Sequence, residues 1–275
     1  PPAGYLATYD ASDSRGISVD SSKNAYTTGS FSGTVDFGGG DVTSNAVADI
    51  FVLKLDSDGN FQWVYTAGGS GNDRAVDIGT DSSGNSYITG NFSETVNFGG
   101  GDVTSAGNSD DIFVVKLDSD GNFQWVYTAG GTGVDELHAI AIDSSDNVLT
   151  TGYLSSTVNY GGGVRISATT VTALVLKLDS FGSLVWVNAY GGQGAQEGLG
   201  IAVDSSDNIF TTGYFYNTVD FGDGDVTSTG NEDIYILKLN SSGSFQWIKT
   251  YGSTAASTSY YDVTNDITVD TDGSV

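Results

Sequence analysis

The chain has 275 residues, with 34 acidic side chains against 9 basic ones and a formal charge of -25. Such a surface repels phosphate backbones and anionic headgroups, which excludes nucleic-acid binding and basic-patch attachment to membranes. With no Cys there is no disulfide framework, thiolate metal site or cysteine nucleophile, and no apolar run reaches the ~18 residues of a membrane span.

In chain order, the opening GYLATYD reads as the last strand of an earlier unit, so residues 1–14 are assigned to a partial blade. One pattern then recurs, and in the second unit it reads RAVDIGTD (74–81), NSYITGNF (85–92), DIFVVKLD (111–118) and FQWVYTAGG (123–131). Each run is alternating or densely apolar and is bounded by Asp, Asn, Ser and Gly, the mark of a strand between tight turns. DSSGN joins the first two runs and DSDGN the last two, both suited to hairpin turns that need positive φ. Between the second and third runs lies TVNFGGGDVTSAGNSD, read as an exposed outer loop whose tip varies from unit to unit and carries specificity.

The marker residues Asp20, Asp81, Asp143, Asp204 and Asp270 follow one another at steps of 61, 62, 61 and 66 residues. Lys54, Lys116, Lys177 and Lys238 keep this step, as do Trp63, Trp125, Trp186 and Trp247, which are all the tryptophans of the chain. Self-similarity on this scale indicates a repeat architecture. The expected fold is all-β: a β-propeller of four-stranded antiparallel blades, about 61 residues per repeat, forming a single repeat domain over 1–275. Full repeats fall at about 15–73, 74–134, 135–196 and 197–261, and DVTNDITVDTDGSV opens a second partial blade at 262–275. Ends that cut through repeats, with no initiator Met, predict an excerpt of a longer chain.

Small residues stand two positions before each marker Asp, at Ser18, Gly79, Ala141, Ala202 and Thr268. They read as channel-facing positions of innermost strands, with the flanking Ile and Val packing between blades. Trp and the nearby Phe61, Phe123, Leu184 and Phe245 read as core, each contributing about 2–3 kcal/mol on burial.

The order DSSGNSYITGNF, TVNFG, DIFVVKLD, FQW in the second unit resembles the SBBP family of β-propeller repeats, and the likeness runs from about Ile17 to Tyr251. It implies a propeller from a large secreted or cell-surface protein. The third unit departs from the pattern, with Ala173 read at the position of the Asp that opens the third strand and VRISATTVT in its loop.

Candidate chemistry is sparse. Asp56, Asp58, Asp118 and Asp120 in the DSDGN turns suggest the start of a calcium loop, but the equivalent turns DSFGS and NSSGS lose carboxylates and no bidentate Glu follows, so β-turns are the preferred reading. The four repeated lysines read as structural, each ammonium meeting a carboxylate such as the Asp two residues on. His138, the only histidine, reads as a surface residue whose neighbours Asp135 and Glu136 resemble an acid/base cluster only loosely. The triple-Gly loops lack the Gly-Lys-Ser/Thr ending of a phosphate loop. No catalytic, cofactor or metal residue is assigned, and the chain is read as a non-enzyme.

The expected function is a structural or adhesion module on a cell or virion surface or outside the cell, as in a filament, surface layer or virion appendage. Its partners are protein or glycan at blade faces or loop tips, with self-assembly as one form, and a carbohydrate-binding propeller is the alternative. An enzyme using carboxylates in the central channel is the least favoured reading.

Overall fold

The computed structural model describes residues 13–253 and 262–270. Four antiparallel sheets follow one another along the chain, each with its strands in sequential spatial order. The first blade consists of β1 (Asp13–Val19), β2 (Ala25–Phe31), β5 (Asp49–Leu55) and β6 (Phe61–Gly69), with the hairpin β3 (Thr34–Asp36) and β4 (Asp41–Thr43) inserted between β2 and β5. The second repeats this with β7 (Arg74–Thr80), β8 (Ser86–Phe92), β11 (Asp111–Leu117) and β12 (Phe123–Ala129) around the hairpin β9 (Thr95–Asn97) and β10 (Asp102–Thr104). The third has β13 (Glu136–Ile142), β14 (Val148–Leu154), β17 (Thr172–Leu178) and β18 (Leu184–Tyr190) around β15 (Thr157–Gly161) and β16 (Val164–Ser167). In the fourth, β19 (Gln196–Val203) and β22 (Phe245–Tyr251) flank two long strands, β20 (Ile209–Asp220) and β21 (Asp225–Leu239), that absorb the hairpin. Repeated four-stranded meanders of this kind fit a β-propeller.

The segment expected as an exposed outer loop opening on a small aromatic strand is a hairpin whose Gly tip is exposed and whose first strand ties neighbouring blades. Gly68 and Gly69 at the end of β6 pair with Asn97 and Val96 of β9, and single bridges Gly130–Asn159 and Gly192–Val219 repeat the tie at the next two junctions. The reason is apolar. Val96, Phe98, Val158, Tyr160, Val219 and Phe221 are buried to within 1% of full exclusion, and leaving them in a solvated loop would forfeit that burial.

Between blades, Lys and Trp act together. Lys54 pairs across the sheet with Trp63, and both Lys54 Nζ (2.8 Å) and Trp63 Nε1 (3.1 Å) donate to the carbonyl of Ser119 in the second blade. Lys116 and Trp125 donate likewise to Ser180 O, and Lys177 donates to Ser241 O. The indole of Trp63 lies over Gly121 of the same turn. The lysine's carboxylate partner is not the Asp two residues on but the marker Asp of its own blade: Lys177 Nζ stands 2.8 Å from Asp143, Lys238 3.7 Å from Asp204 and Lys116 3.9 Å from Asp81. A neighbour two along a strand shares its face but anchors to its own turn, whereas the marker Asp lies across the sheet, within reach of the ammonium. Indeed the Asp two residues on is engaged locally: Asp118 Oδ1 accepts the N–H groups of Asp120 and Asn122, and its other oxygen accepts from Asn122 and Gln124 side chains.

A second junction element is acidic. Asp49 (2% exposed) and Asp73 (0%) face each other across the first junction, and Asp111 and Asp135 across the second. Asp73 accepts the N–H groups of Gly69 and Ser93, and Asp135 those of Gly131 and Ser155. Burial raises Asp73 to about 7 and Asp111 and Asp135 to about 6, against the attraction of these donors. In the third unit the register corrects the sequence reading. Thr172, not Ala173, takes the Asp position, because it pairs with Leu154 as Asp111 pairs with Phe92. Across that junction Gln196 stands where Asp73 and Asp135 stand, so both acids are replaced together.

Candidate functional site at the cavity mouth

β1, β7, β13, β19 and the segment 262–270 stand side by side around a central cavity of about 460 Å³. The segment continues the series, since a Cβ on Gly200 of β19 would lie 2.9 Å from Asp266 Cα and Thr264 Oγ1 lies 2.8 Å from Thr212 Oγ1. The small residues before the marker Asp do not face this cavity. Gly79 abuts Ile140 and Ile142 of the following blade, and Ser18 Oγ reaches Thr80 Oγ1 at 2.9 Å, so small size here serves blade-to-blade approach.

What enters the cavity is set by a bulge. Each inner strand slips one residue against its partner at the same place, and the extra residues are Arg15, Val76, His138 and Leu199. A bulge re-aims its extra side chain, and all four line the cavity, joined by Asn265 and Asp266. The framework repeats itself while this ring does not. Two of the three arginines and the only histidine stand at its rim.

His138 is thus a half-buried cavity residue and not a surface one. Its Nε2 lies 3.8 Å from Glu197 Oε2, and its ring is stacked at a tilt 5.7 Å from that of Tyr153. Burial lowers its pKa, Glu197 opposes that and Arg15 reinforces it. Glu136 belongs to the same rim: burial and the nearby Asp110 raise its pKa, while the Tyr153 hydroxyl, Arg74 and Arg15 pull it down. Tyr214 faces Glu197, and Glu232 is raised by burial and by Glu197. Asp135 is not part of the cluster, since it is locked in the second blade junction by backbone donors. Deeper in, Asp77 accepts the N–H of Ile140 at 3.0 Å and burial brings it to about 6.

Chemically, the rim offers carboxylates held against burial and mutual repulsion, two tyrosine hydroxyls, and a single imidazole. No three His, Asp or Glu side chains among the described residues stand together in a way that could hold a metal ion. The sequence reading missed the rim because its members are 61 or 62 residues apart and differ from repeat to repeat. The available signal was that mismatch, at Arg15/Val76/His138/Leu199 and at Asp13/Arg74/Glu136/Glu197.

No protein-family model matches the chain. It is similar to an uncharacterized WD repeat-containing protein of Acanthamoeba polyphaga mimivirus, with 26% identity over 264 aligned residues. That likeness supports a β-propeller repeat fold. The alignment takes in 75% of this chain but only 18% of the relative, so the chain spans less than a fifth of that protein.

Proposed function

We propose that the chain is a non-enzymatic β-propeller module of an extracellular, cell-surface or virion-surface protein, and that it binds a protein partner by a basic segment at the rim around His138. The observation that carries this reading is the breakdown of the repeat at one place. Inter-blade lysines, tryptophans and turns recur throughout, whereas the bulge ring holds unlike residues, Arg15, Val76, His138 and Leu199. Glu136 and Glu232 are raised by burial and by neighbouring carboxylates, and a Lys or Arg side chain entering the rim would offset that repulsion. The SBBP-like order of the second unit and the charge of -25 support the surface setting, and the segment 262–270 supports reading the blades as successive sectors of one ring.

Binding of a fluorescent oligolysine peptide, measured by anisotropy at rising salt, tests the reading. Saturable binding that weakens about tenfold or more in the Glu136→Gln/Glu197→Gln variant is expected. Binding unchanged by that variant refutes it. A second reading, glycan binding, is favoured by Tyr153 and Tyr214 beside acceptor carboxylates, and a glycan array in which Tyr153→Ala abolishes a signal would establish it in place of the first.

A further inference from the structure

The three blade junctions within residues 13–253 share one backbone scaffold and differ in charge. The N–H of Asp73 donates at 3.0 Å to the carbonyl of Ala48, the residue before Asp49, and that of Asp135 donates at 2.9 Å to Asp110, the residue before Asp111. At the third junction the N–H of Gln196 donates at 3.1 Å to Val171, the residue before Thr172. In the first two, both acids converge on one dipeptide. Asp73 and Asp135 accept the N–H groups of Gly69 and Gly131, both at 2.9 Å. A Cβ on the preceding glycine would lie 2.3 Å from Asp49 Oδ1 at Gly68, and 2.0 Å from Asp111 Oδ1 at Gly130. Only glycine leaves room there for the second carboxylate.

These carboxylates are not fully matched. Asp49 Oδ2 accepts from the backbone and side-chain amides of Asn45, and Asp111 Oδ2 from the N–H of Ala106. Among the described residues Asp49 Oδ1 and Asp111 Oδ1 are buried and accept no hydrogen bond, in residues only 2% and 5% exposed. Nor does any Lys, Arg or His there form an ion pair with one of the four acids. A buried carboxylate oxygen with no donor, set beside a second acid, is costly unless positive charge arrives from elsewhere. The DSDGN turns differ, since Asp56 and Asp118 are taken up by N–H groups of their own turns. At the third junction Thr172 and Gln196 leave no charge at all, so the acids are present as a pair or absent as a pair.

We propose that the Asp49–Asp73 and Asp111–Asp135 junctions each bind a calcium ion that bridges neighbouring blades. The donors are all oxygen, which suits a hard cation and offers a transition metal no nitrogen or sulfur ligand. Calcium tolerates irregular coordination and fills about six to eight places with carboxylates, backbone carbonyls and water, whereas magnesium demands a near-ideal octahedron. Each pair supplies two carboxylates, so the other ligands are carbonyls and water. The ion ties β5 to the start of β7 and β11 to the start of β13, and it gives the unbonded oxygens the charge they lack.

The test strips the 275-residue chain with a chelator and returns calcium, with magnesium at equal ionic strength as the control for general screening of its charge of -25. Melting temperature should rise and saturate at about 0.1–1 mM free calcium, the range of extracellular modules. Equilibrium dialysis against radioactive calcium should find one ion fewer in Asp73→Asn, one fewer in Asp135→Asn and two fewer in the double variant. With calcium chelated, protons alone titrate these acids, and the variants should still melt cooperatively, which separates lost binding from lost folding. Thr172→Asp/Gln196→Asp, which builds the missing pair, should bind one ion more. An ion count unchanged in every variant overturns the proposal, as does a melting temperature that magnesium raises as far as calcium. Stability that answers to pH but not to calcium also overturns it, and assigns each junction a shared proton instead.

Discussion

Replacing Gly121 with Ala probes the blade junction against an internal control. Gly121 has φ of +83° and Gly59 has φ of +81°, so a Cβ at either position costs the same backbone term, about 1–2 kcal/mol. Their surroundings differ. A Cβ at Gly121 would lie 2.8 Å from Trp63 Cδ2 and 3.0 Å from its Cε3, both in a ring also held by the Nε1 bond to Ser119, while at Gly59 it would meet nothing within 4 Å among the described residues. Overpacking of that sort adds about 1–3 kcal/mol. Gly121→Ala should therefore destabilise by about 2–5 kcal/mol and Gly59→Ala by about 1–2. Urea unfolding followed by tryptophan fluorescence reads both on one scale. Equal losses would refute the claim that the Trp–turn contact holds blades together, whatever their size.

Lys177→Ala leaves Asp143, 2% exposed at its side chain, without its ammonium 2.8 Å away, and should cost about 3–5 kcal/mol in the same urea assay. The pH profile of stability should peak between about pH 4 and 5. Asp73, Asp77, Asp111 and Asp135 are raised to about 6–7 from a usual 3.8, so their contribution is fullest at low pH and is lost as pH rises from about 4 through 7. Asp20, Asp118, Asp143 and Asp204 are lowered, so theirs is lost as pH falls through and below 3.8. Asp73→Asn should flatten the limb above pH 4, and urea midpoints across pH check both limbs. Since the chain has one histidine, its imidazole protons titrate alone in an NMR spectrum. Glu197→Gln should lower the pKa of His138 and Arg15→Ala should raise it, because the first removes a stabilising carboxylate and the second a repelling cation. A shift in the opposite direction in either variant would break the assignment of the rim.

The blades were legible in the sequence because strand period, turn chemistry and repeat length agree at every level, as with FQWVYTAGG and its turn DSDGN. The roles of Lys54 and its counterparts were legible only in kind: a buried ammonium needs a partner, but which Asp it meets depends on a neighbour across the sheet. The bulge at Val76 or His138 leaves no mark in local composition, since it is a one-residue slip between strands. For that reason the rim was invisible, and the small residues before each marker Asp were credited with facing a space that the bulge residues fill. The Thr172 misassignment arose in the same way, from counting along one strand where register with β14 decides.

At each of the three described junctions a lysine of one unit donates to the turn between the third and fourth strands of the next, always in that order, and at the first two a tryptophan donates with it. The coupling therefore has a polarity, like studs and sockets on stacked bricks. Excising one whole unit, from a point in β7 to the matching point in β13, would join the first blade's Lys54 and Trp63 to the Ser180–Gly182 turn, the same acceptor their present turn provides. Gene-level gain or loss of complete repeats thus asks for no new interface chemistry, while a deletion that takes a turn and leaves the lysine facing it would strand that donor.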